Sequence, residues 1–316
     1  MPFCALSKAK GMVINMLITK KQERNKRNGL LGYLLILPSF LAFAVFMFWP
    51  LLRTIYLSFF EWNMIKPYKK FVGFANYVEI FQNPQTYKIM GNTMVYILIL
   101  LVLNFIAPYV LSFVLSIIIK KGHNIYKRIF FLPSVISLVV GSMLYLWILN
   151  PVSGPIAVIA KMLGLTLPVW SKSEGLVLVV LSLITSWKVF GYNFIVTLAG
   201  VSGVSKEAIE AARLDNVPMW KIFIDVVFPM SSATGIYVFI ITIVQGLQYV
   251  FTPINVITQG GPNYASSNMI YNSYQEAFTF FRTGSSSAFS IVTMVLFIIL
   301  LVLEFKFVEK GVYYEN

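Results

Sequence analysis

Few residues of this sequence have side chains suited to bond-making chemistry. One cysteine, Cys4, and one histidine, His123, occur among the 316 residues. A single residue of each type excludes a disulfide framework and argues against a metal site. No glycine is followed by lysine, so the chain has no phosphate-binding loop of the P-loop type. We therefore predict no catalytic residue, no metal site and no cofactor bound by the chain itself.

Charged side chains are instead concentrated in one segment between two apolar runs, Val201–Pro229. Ser205 is placed to cap a first short helix, which Asp215 and Asn216 end, and Pro218 is placed to begin a second one. The four acidic and three basic residues of the segment are Glu207, Glu210, Asp215, Asp225, Lys206, Arg213 and Lys221. The pattern has two interpretations, an amphipathic loop on a membrane surface or a docking surface for another protein.

Polar side chains also recur at helical spacing inside long apolar runs. Such stripes are costly in lipid unless they face other protein or water. They are typical either of hydrogen bonds between packed spans or of a pathway for a sugar-like solute. The candidate pathway residues are Tyr145, Ser186, Trp187, Lys188, Tyr192, Asn193, Gln245 and Tyr249. The other polar members of these stripes are Ser142, Ser182, Thr197, Thr242 and Thr252.

Lys188 is the one charged residue deep inside an apolar run. It is too far from either end of the run for its ammonium group to reach the membrane surface easily. Either it neutralises an anionic solute, such as a phosphorylated glycerol or a uronate, or it has a structural role. We favour the structural role.

The elements that must position these residues are membrane-spanning helices. Hydrophobic residues make up 58% of the chain and charged residues only 12%, which is too apolar for an ordinary soluble domain. Six runs reach the roughly 20 residues that a bilayer crossing needs. They are Leu30–Leu52, Thr93–Ile119, Ile129–Asn150, Gly175–Gly200, Ala233–Ile257 and Gly284–Leu303. The predicted fold is an all-α integral membrane protein with six transmembrane helices.

The distribution of basic residues predicts the orientation of these spans. Sixteen lysine and arginine residues lie in the termini and in the loops on the same side of the membrane as the termini, whereas eight lie in the loops on the opposite side. Because positive charge is retained inside the cell, both termini and residues 201–232 are predicted to be cytoplasmic. Residues 1–29 form a basic cytoplasmic tail, and residues 30–316 form the membrane domain. The net charge of +13 thus reflects membrane orientation, and we predict no nucleic-acid partner.

The segment after Ser205 resembles the EAA loop of bacterial ABC-importer permeases, specifically the carbohydrate-uptake branch. Asn216 stands where that family usually has glycine, and asparagine is the next-best residue at a left-handed helix end. Residues 71–77 and the Thr258–Pro262 turn resemble further segments of the same branch, so the likeness covers roughly residues 30–316. The residues that match the EAA pattern are Glu210, Ala211, Ala212, Asp215, Phe223 and Pro229.

This resemblance implies a type I ABC importer permease in the bacterial cytoplasmic membrane, with many passes through the lipid. Its implied partners are a second permease, two ABC ATPase subunits that bind ATP and Mg, an extracytoplasmic solute-binding protein and membrane lipid. The implied ATPase-coupling residues are Glu207, Glu210, Ala211, Ala212, Asp215, Asn216 and Phe223. The chain itself would not be an enzyme.

The transported solute is left open by the sequence. A sugar or oligosaccharide is the first expectation, and sn-glycerol-3-phosphate or another anionic solute is the alternative within the same branch. A secondary carrier is the alternative from another class. However, no Asp or Glu lies deep in the six runs, and proton-coupled carriers usually need such groups for a relay.

Overall fold

The computed structural model of the chain describes residues 33–119 and 123–308. The predicted cytoplasmic tail, residues 1–29, and the start of the first apolar run at Leu30 lie outside these residues. The one sheet in the described part of the chain pairs β1 (Phe60–Glu61) with β2 (Lys70–Phe71) in antiparallel register. Every other regular element in this part is helical.

The chain divides into two units between Tyr56 and Leu57. Helix α1 runs from Tyr33 to Leu57. Its residues up to Tyr56 are the described part of the first unit, and Leu57 belongs to the second unit. This helix is apolar over 25 residues, which is long enough to cross a bilayer. It includes a π-helical stretch at Ala44–Phe48.

The second unit contains the remaining helices and both strands. Its helices are α2 (Ala75–Gln82), α3 (Pro84–Ile119), α4 (His123–Val135), α5 (Leu138–Ile148), α6 (Pro155–Met162), α7 (Leu176–Ser202), α8 (Lys206–Leu214), α9 (residues 219–230), α10 (Ser232–Thr258), α11 (Met269–Phe278) and α12 (Thr283–Val308). Several of them include π-helical turns, which locally change the side-chain periodicity. The π-helical segments of α3, α9 and α10 are Val102–Ile106, Val114–Ile119, Ile222–Val227 and Ile254–Thr258.

Five helices in the described residues are long and apolar enough to span a membrane. They are α1, α3, α7, α10 and residues Thr283–Leu303 of α12, and each overlaps one predicted run. Helix α3 begins nine residues before the predicted Thr93, since Asn83 caps it and Pro84 occupies its first position. Hydropathy missed these turns because their side chains are polar.

The predicted span Ile129–Asn150 is a bent pair rather than one straight helix. Residues Ile125–Val135 and Leu138–Ile148 meet at an angle of 97°, and together they satisfy the length and composition of one span. Pro133 removes one backbone donor near the end of α4. Ser137 then has an extended ψ of 135°, which ends the helical path before α5 begins.

Helix α7 lies at the centre of the second unit and packs against α3, α4, α5 and α10. Its Leu181 and Ile184 join Tyr96 and Leu100 of α3 in the largest buried apolar cluster. A Cβ atom on Gly191 would clash with the backbone of Phe130, so this glycine permits the close approach of α7 to α4. The polar stripe of α7, Ser182, Ser186, Asn193 and Thr197, is therefore buried within the helix bundle.

The Thr258–Pro262 segment forms the sharp turn that its two glycines predict. Gln259 and Gly260 have left-handed φ values of 49° and 82°. The hydroxyl of Ser266 donates to the carbonyl of Gly261 at 2.6 Å and lies 2.8 Å from Oγ1 of Thr258. These bonds fix the chain between α10 and α11.

Candidate functional site

The charged segment folds as two consecutive helices, α8 and α9, as its caps predict. Ser205 Oγ accepts a hydrogen bond from the backbone N–H of Ala208 at 3.2 Å, which satisfies one free donor of the first turn. Ser205 Oγ also donates to Oε2 of Glu207 at 2.8 Å. The Glu207 carboxylate thus lies where the helix dipole favours negative charge.

Hydrogen bonds that its carboxylate accepts lower the pKa of Glu207. The largest cause is a hydrogen bond from the residue's own backbone N–H, followed by the bond from the Ser205 hydroxyl. Both bonds favour the charged form of a side chain that is fully exposed to solvent. Glu207 therefore presents a stable negative charge on the surface of α8.

Helix α8 ends in a left-handed cap centred on Asn216. Its φ is 54°, a conformation that only glycine and asparagine adopt at low cost. The N–H of Asn216 donates to the carbonyl of Arg213 at 3.0 Å, and the N–H of Val217 donates to that of Ala212 at 3.0 Å. This pair of bonds is a Schellman motif. Asn216 therefore forms the left-handed helix end that the sequence predicts.

One side of the α8–α9 segment is anchored in the rest of the chain. Val201, Val204, Ile209, Ile222 and Val227 are buried with Tyr109, Phe113 and Ile117 of α3. Two of the predicted coupling residues, Ala212 and Phe223, pack against this cluster. Both therefore face the chain's own core, and they position the segment rather than form its outer surface.

A polar contact adds to this apolar anchor. Nη2 of Arg213 donates to the backbone carbonyl of Ile117 at 2.9 Å. Ile117 lies in the last turn of α3, where a positive charge complements both the free carbonyls and the helix dipole. Arg213 thereby connects α8 to the end of α3, a role that its sequence position alone does not indicate.

The opposite side of α8 and α9 is exposed. It carries the other five predicted coupling residues, Glu207, Glu210, Ala211, Asp215 and Asn216. Two large apolar side chains join them, Leu214 at 83% exposure and Trp220 at 61%. Exposed apolar side chains rimmed by charged residues are typical of a protein-docking surface.

The three- and four-residue spacing of Trp220, Phe223, Ile224 and Val227 predicts a single apolar stripe on α9, and this prediction is wrong. Phe223 and Val227 turn inward, whereas Trp220 and Ile224 are exposed. The physical reason is the π-helical segment Ile222–Val227, because its wider turn changes the angle between successive side chains. The exposed Trp220 and Ile224 enlarge the candidate docking surface.

Three candidate pathway residues lie inside the helix bundle and are hydrogen-bonded there. Nδ2 of Asn193 donates to the carbonyl of Asn104 at 2.7 Å and to Oγ1 of Thr242 at 2.9 Å, and it lies 3.3 Å from Oε1 of Gln245. The hydroxyl of Ser186 donates to Oδ1 of Asn104 at 2.9 Å. All five residues are buried. Their geometry corresponds to the interhelical alternative, since the network joins α3, α7 and α10.

Other candidate pathway residues reach the surface of the helix bundle. Tyr192 of α7 is 41% exposed, and its hydroxyl is hydrogen-bonded to the hydroxyl of Tyr237 on α10 at 2.8 Å. Tyr249 is also exposed. The ring of Tyr145 packs edge-to-face on Trp187 at 5.3 Å. Tyr237 was not predicted, because it lies outside the polar stripe of its helix.

Lys188 is partly buried and directed at a neighbouring helix. Its Nζ donates to the backbone carbonyls of Ser134 and Ile136, the latter at 2.6 Å. In return, the hydroxyl of Ser134 donates to the carbonyl of Lys188 at 2.9 Å. Within the described residues, no group of three or more His, Cys, Asp or Glu side chains is arranged to hold a metal ion.

The fold and these two regions define a polytopic helical membrane protein with an exposed, charged helical loop between two spans. Comparison with known proteins gives the family. Residues 119–312 match the family described as binding-protein-dependent transport system inner membrane component. The chain belongs to this family of ABC-type importer permeases, which confirms the resemblance of the EAA-like loop.

Relatives match the chain over most of its length. The sn-glycerol-3-phosphate transport system permease protein UgpA of Brucella abortus is 30% identical over 289 residues, covering 91% of this chain and 98% of the relative. The probable ABC transporter permease protein YurN of Bacillus subtilis is 28% identical over 288 residues, covering 90% and 98%.

Solved structures show the same fold. A bacterial ABC transporter involved in the import of the acidic polysaccharide alginate contains a chain with a TM-score of 0.78 at 21% identity, covering 92% of this chain and 99% of that one. The bacterial alginate ABC transporter in complex with an alginate pentasaccharide-bound periplasmic protein has a TM-score of 0.75 at 21% identity, with 88% and 93% covered.

Proposed function

We propose that a cytoplasmic ATPase binds the exposed side of α8 and α9 of this permease and powers transport. The observation that carries this proposal is the division of the segment. One side is fixed to α3 by the buried cluster and by Arg213, while the other presents Glu207, Glu210, Leu214 and Trp220 to solvent. ATP and Mg would be bound by the ATPase subunits, and this chain would carry out no bond chemistry.

The proposed topology has six spans and both termini in the cytoplasm. The bent pair α4–α5 counts as the third span, which gives the type I permease arrangement. The excess of basic residues in the termini and on their side of the membrane supports this orientation. The α8–α9 segment then lies between the fourth and fifth spans on the cytoplasmic side.

A second permease subunit, identical or different, is proposed to complete the pathway. The exposed hydroxyl pair of Tyr192 and Tyr237 supports this, because polar groups on the outside of a span need protein or water next to them. Tyr249 is a further exposed candidate on α10. The solute would pass between the two permeases along these aromatic and hydroxyl-bearing side chains.

The proposed solute is a sugar or an oligosaccharide, delivered by an extracytoplasmic binding protein. The alginate transporter, an importer of an acidic polysaccharide, supports a saccharide. UgpA, an sn-glycerol-3-phosphate permease, supports the runner-up. The contacts of Lys188 favour a solute that needs no buried cation, because its ammonium group already serves two backbone carbonyls.

Site-directed labelling in vesicles tests this proposal. In a Cys4→Ser background, Glu210→Cys should react with a membrane-impermeant maleimide from the cytoplasmic side only. It should also cross-link to a copurifying ATPase. The matched control Lys172→Cys lies in the loop before α7 and should react only from the opposite side, without cross-linking. Labelling of Glu210→Cys from outside the cell would overturn both the orientation and the docking surface.

A further inference from the structure

The break between α4 and α5 leaves backbone carbonyls without helical partners. The last carbonyls of any helix have no partner within the helix. In a membrane such groups must be satisfied by other parts of the protein, because lipid tails offer no hydrogen bonds. Ser134 and Ile136 carry two of the carbonyls at this break. Their hydrogen-bond partner is Nζ of Lys188, from a different helix.

The contact between the two helices is reciprocal. The Ser134 hydroxyl donates to the backbone carbonyl of Lys188 at 2.9 Å. The positive charge of Lys188 also lies at the carbonyl end of α4, where the helix dipole favours a cation. The ammonium group of Lys188, in the middle of a span, thereby caps the end of a second helix.

The neighbouring residue, Trp187, contacts the second half of the bent span. Its ring packs edge-to-face on Tyr145 of α5. A Cβ atom on Gly141 would lie 3.0 Å from the Trp187 ring, so only glycine fits at that position without displacing the ring. Two consecutive residues of α7 thus hold α4 and α5, one on each side of the break.

Helix α7 continues from these contacts towards the candidate docking surface. From Lys188 to Ser202, its last residue, is about 21 Å at 1.5 Å per residue, and Ser205 then caps α8. The buried Val201 and Val204 pack in the same cluster as Ile209 of α8. Packing and hydrogen bonds therefore connect α8 to α7 and, through Lys188, to the break.

We propose that Lys188 is a positioning residue that caps α4 and ties the break in the third span to α7. Its role is independent of the charge of the transported solute. The capping stands on the contacts alone. We also expect a displacement of α8 to be passed along these contacts to the break, and this part rests on the proposed function.

Distances across the break test the capping without any transport. In the purified importer with Cys4→Ser, nitroxide labels at the exposed Ile129 and Leu144 report the bend. The distance between these two positions is about 6 Å longer in a straight helix than in one bent near a right angle. Lys188→Met should lengthen and broaden the distance distribution towards this limit. Lys188→Arg, which keeps the cationic donors, should preserve it, as should the surface control Lys172→Met.

Uptake of two solute classes then separates the structural role from solute binding. Lys188→Met should lower uptake by the same factor, at least tenfold, for whichever neutral sugar or glycerol phosphate the importer accepts. An unchanged distance distribution with loss of anionic uptake alone would overturn the proposal. If the Lys188→Met protein does not accumulate in the membrane, Lys188→Ala replaces it, and the same results support or overturn the proposal. An importer without an ATPase partner would refute the proposed function, yet the distance result would still decide the capping.

Discussion

The guanidinium of Arg213 and the carbonyl of Ile117 join α8 to the end of α3 across 2.9 Å. Arg213→Ala should remove this charged hydrogen bond and lower stability by about 1.5 kcal/mol, the low end for a hydrogen bond that involves a charged group. The melting temperature of the purified chain measures this loss. Arg213→Lys should recover part of it, because lysine keeps a donor without the planar fork. An unchanged melting temperature in both variants would show that the contact contributes nothing.

The left-handed cap of α8 predicts different tolerance for two substitutions at Asn216. Asn216→Gly should leave the cap intact, since glycine adopts a φ of 54° without strain. Asn216→Val should cost about 1–2 kcal/mol, because a β-branched side chain is strained in that conformation. Hydrogen exchange of the Val217 amide, which is bonded to Ala212, should then become roughly tenfold faster. Equal exchange in both variants would contradict the assignment of the cap.

The pKa of Glu207 should depend on the hydroxyl of Ser205. Because the pKa is lowered in the fold, the stability that Glu207 contributes is complete above its ordinary range and is lost as pH falls through the lowered value. Ser205→Ala removes the second-largest cause and should raise the pKa, measured by NMR titration of the labelled side-chain carboxyl carbon. Ser202→Ala, three residues away and exposed, is the control. A pKa unaffected by Ser205→Ala would refute the capping interaction.

The buried network and the exposed tyrosines should respond differently to substitution. Asn193→Leu removes the amide that links α3, α7 and α10, and should lower stability by about 1 kcal/mol. Tyr192→Phe removes one exposed hydroxyl and should leave stability unchanged while raising the KM for uptake. Melting temperature and uptake kinetics of the two variants distinguish these outcomes. If Asn193→Leu raised the KM for uptake without lowering stability, Asn193 would instead line the solute pathway.

Local sequence patterns predicted much of this structure. The Ser205 cap, the left-handed Asn216 and the apolar lengths of α7 and α10 depend on residues close in the chain, so they could be read directly. The 97° bend could not, because hydropathy measures the length and composition of a run but not its path. Pro133 was the only local sign of it.

Contacts between distant residues were the part that the sequence left open. The partners of Lys188 lie 52 and 54 residues earlier, and no spacing rule connects them. The polar stripe through Asn193 has the same composition whether it bonds to α3 and α10 or lines a pathway. The facing of Trp220 depends on the π-helical turn after it, which ordinary helical spacing does not anticipate.

The most direct test of the central claim is the coupling of ATP hydrolysis to transport through Glu210. In vesicles containing the complete importer, Glu210→Lys reverses a charge on the exposed side of α8. Glu61→Lys makes the same change on an exposed residue of β1, outside α8 and α9. We expect Glu210→Lys to abolish solute-stimulated ATP hydrolysis while the subunits still fold, and Glu61→Lys to retain most of it. Full solute-stimulated hydrolysis with Glu210→Lys would contradict the account.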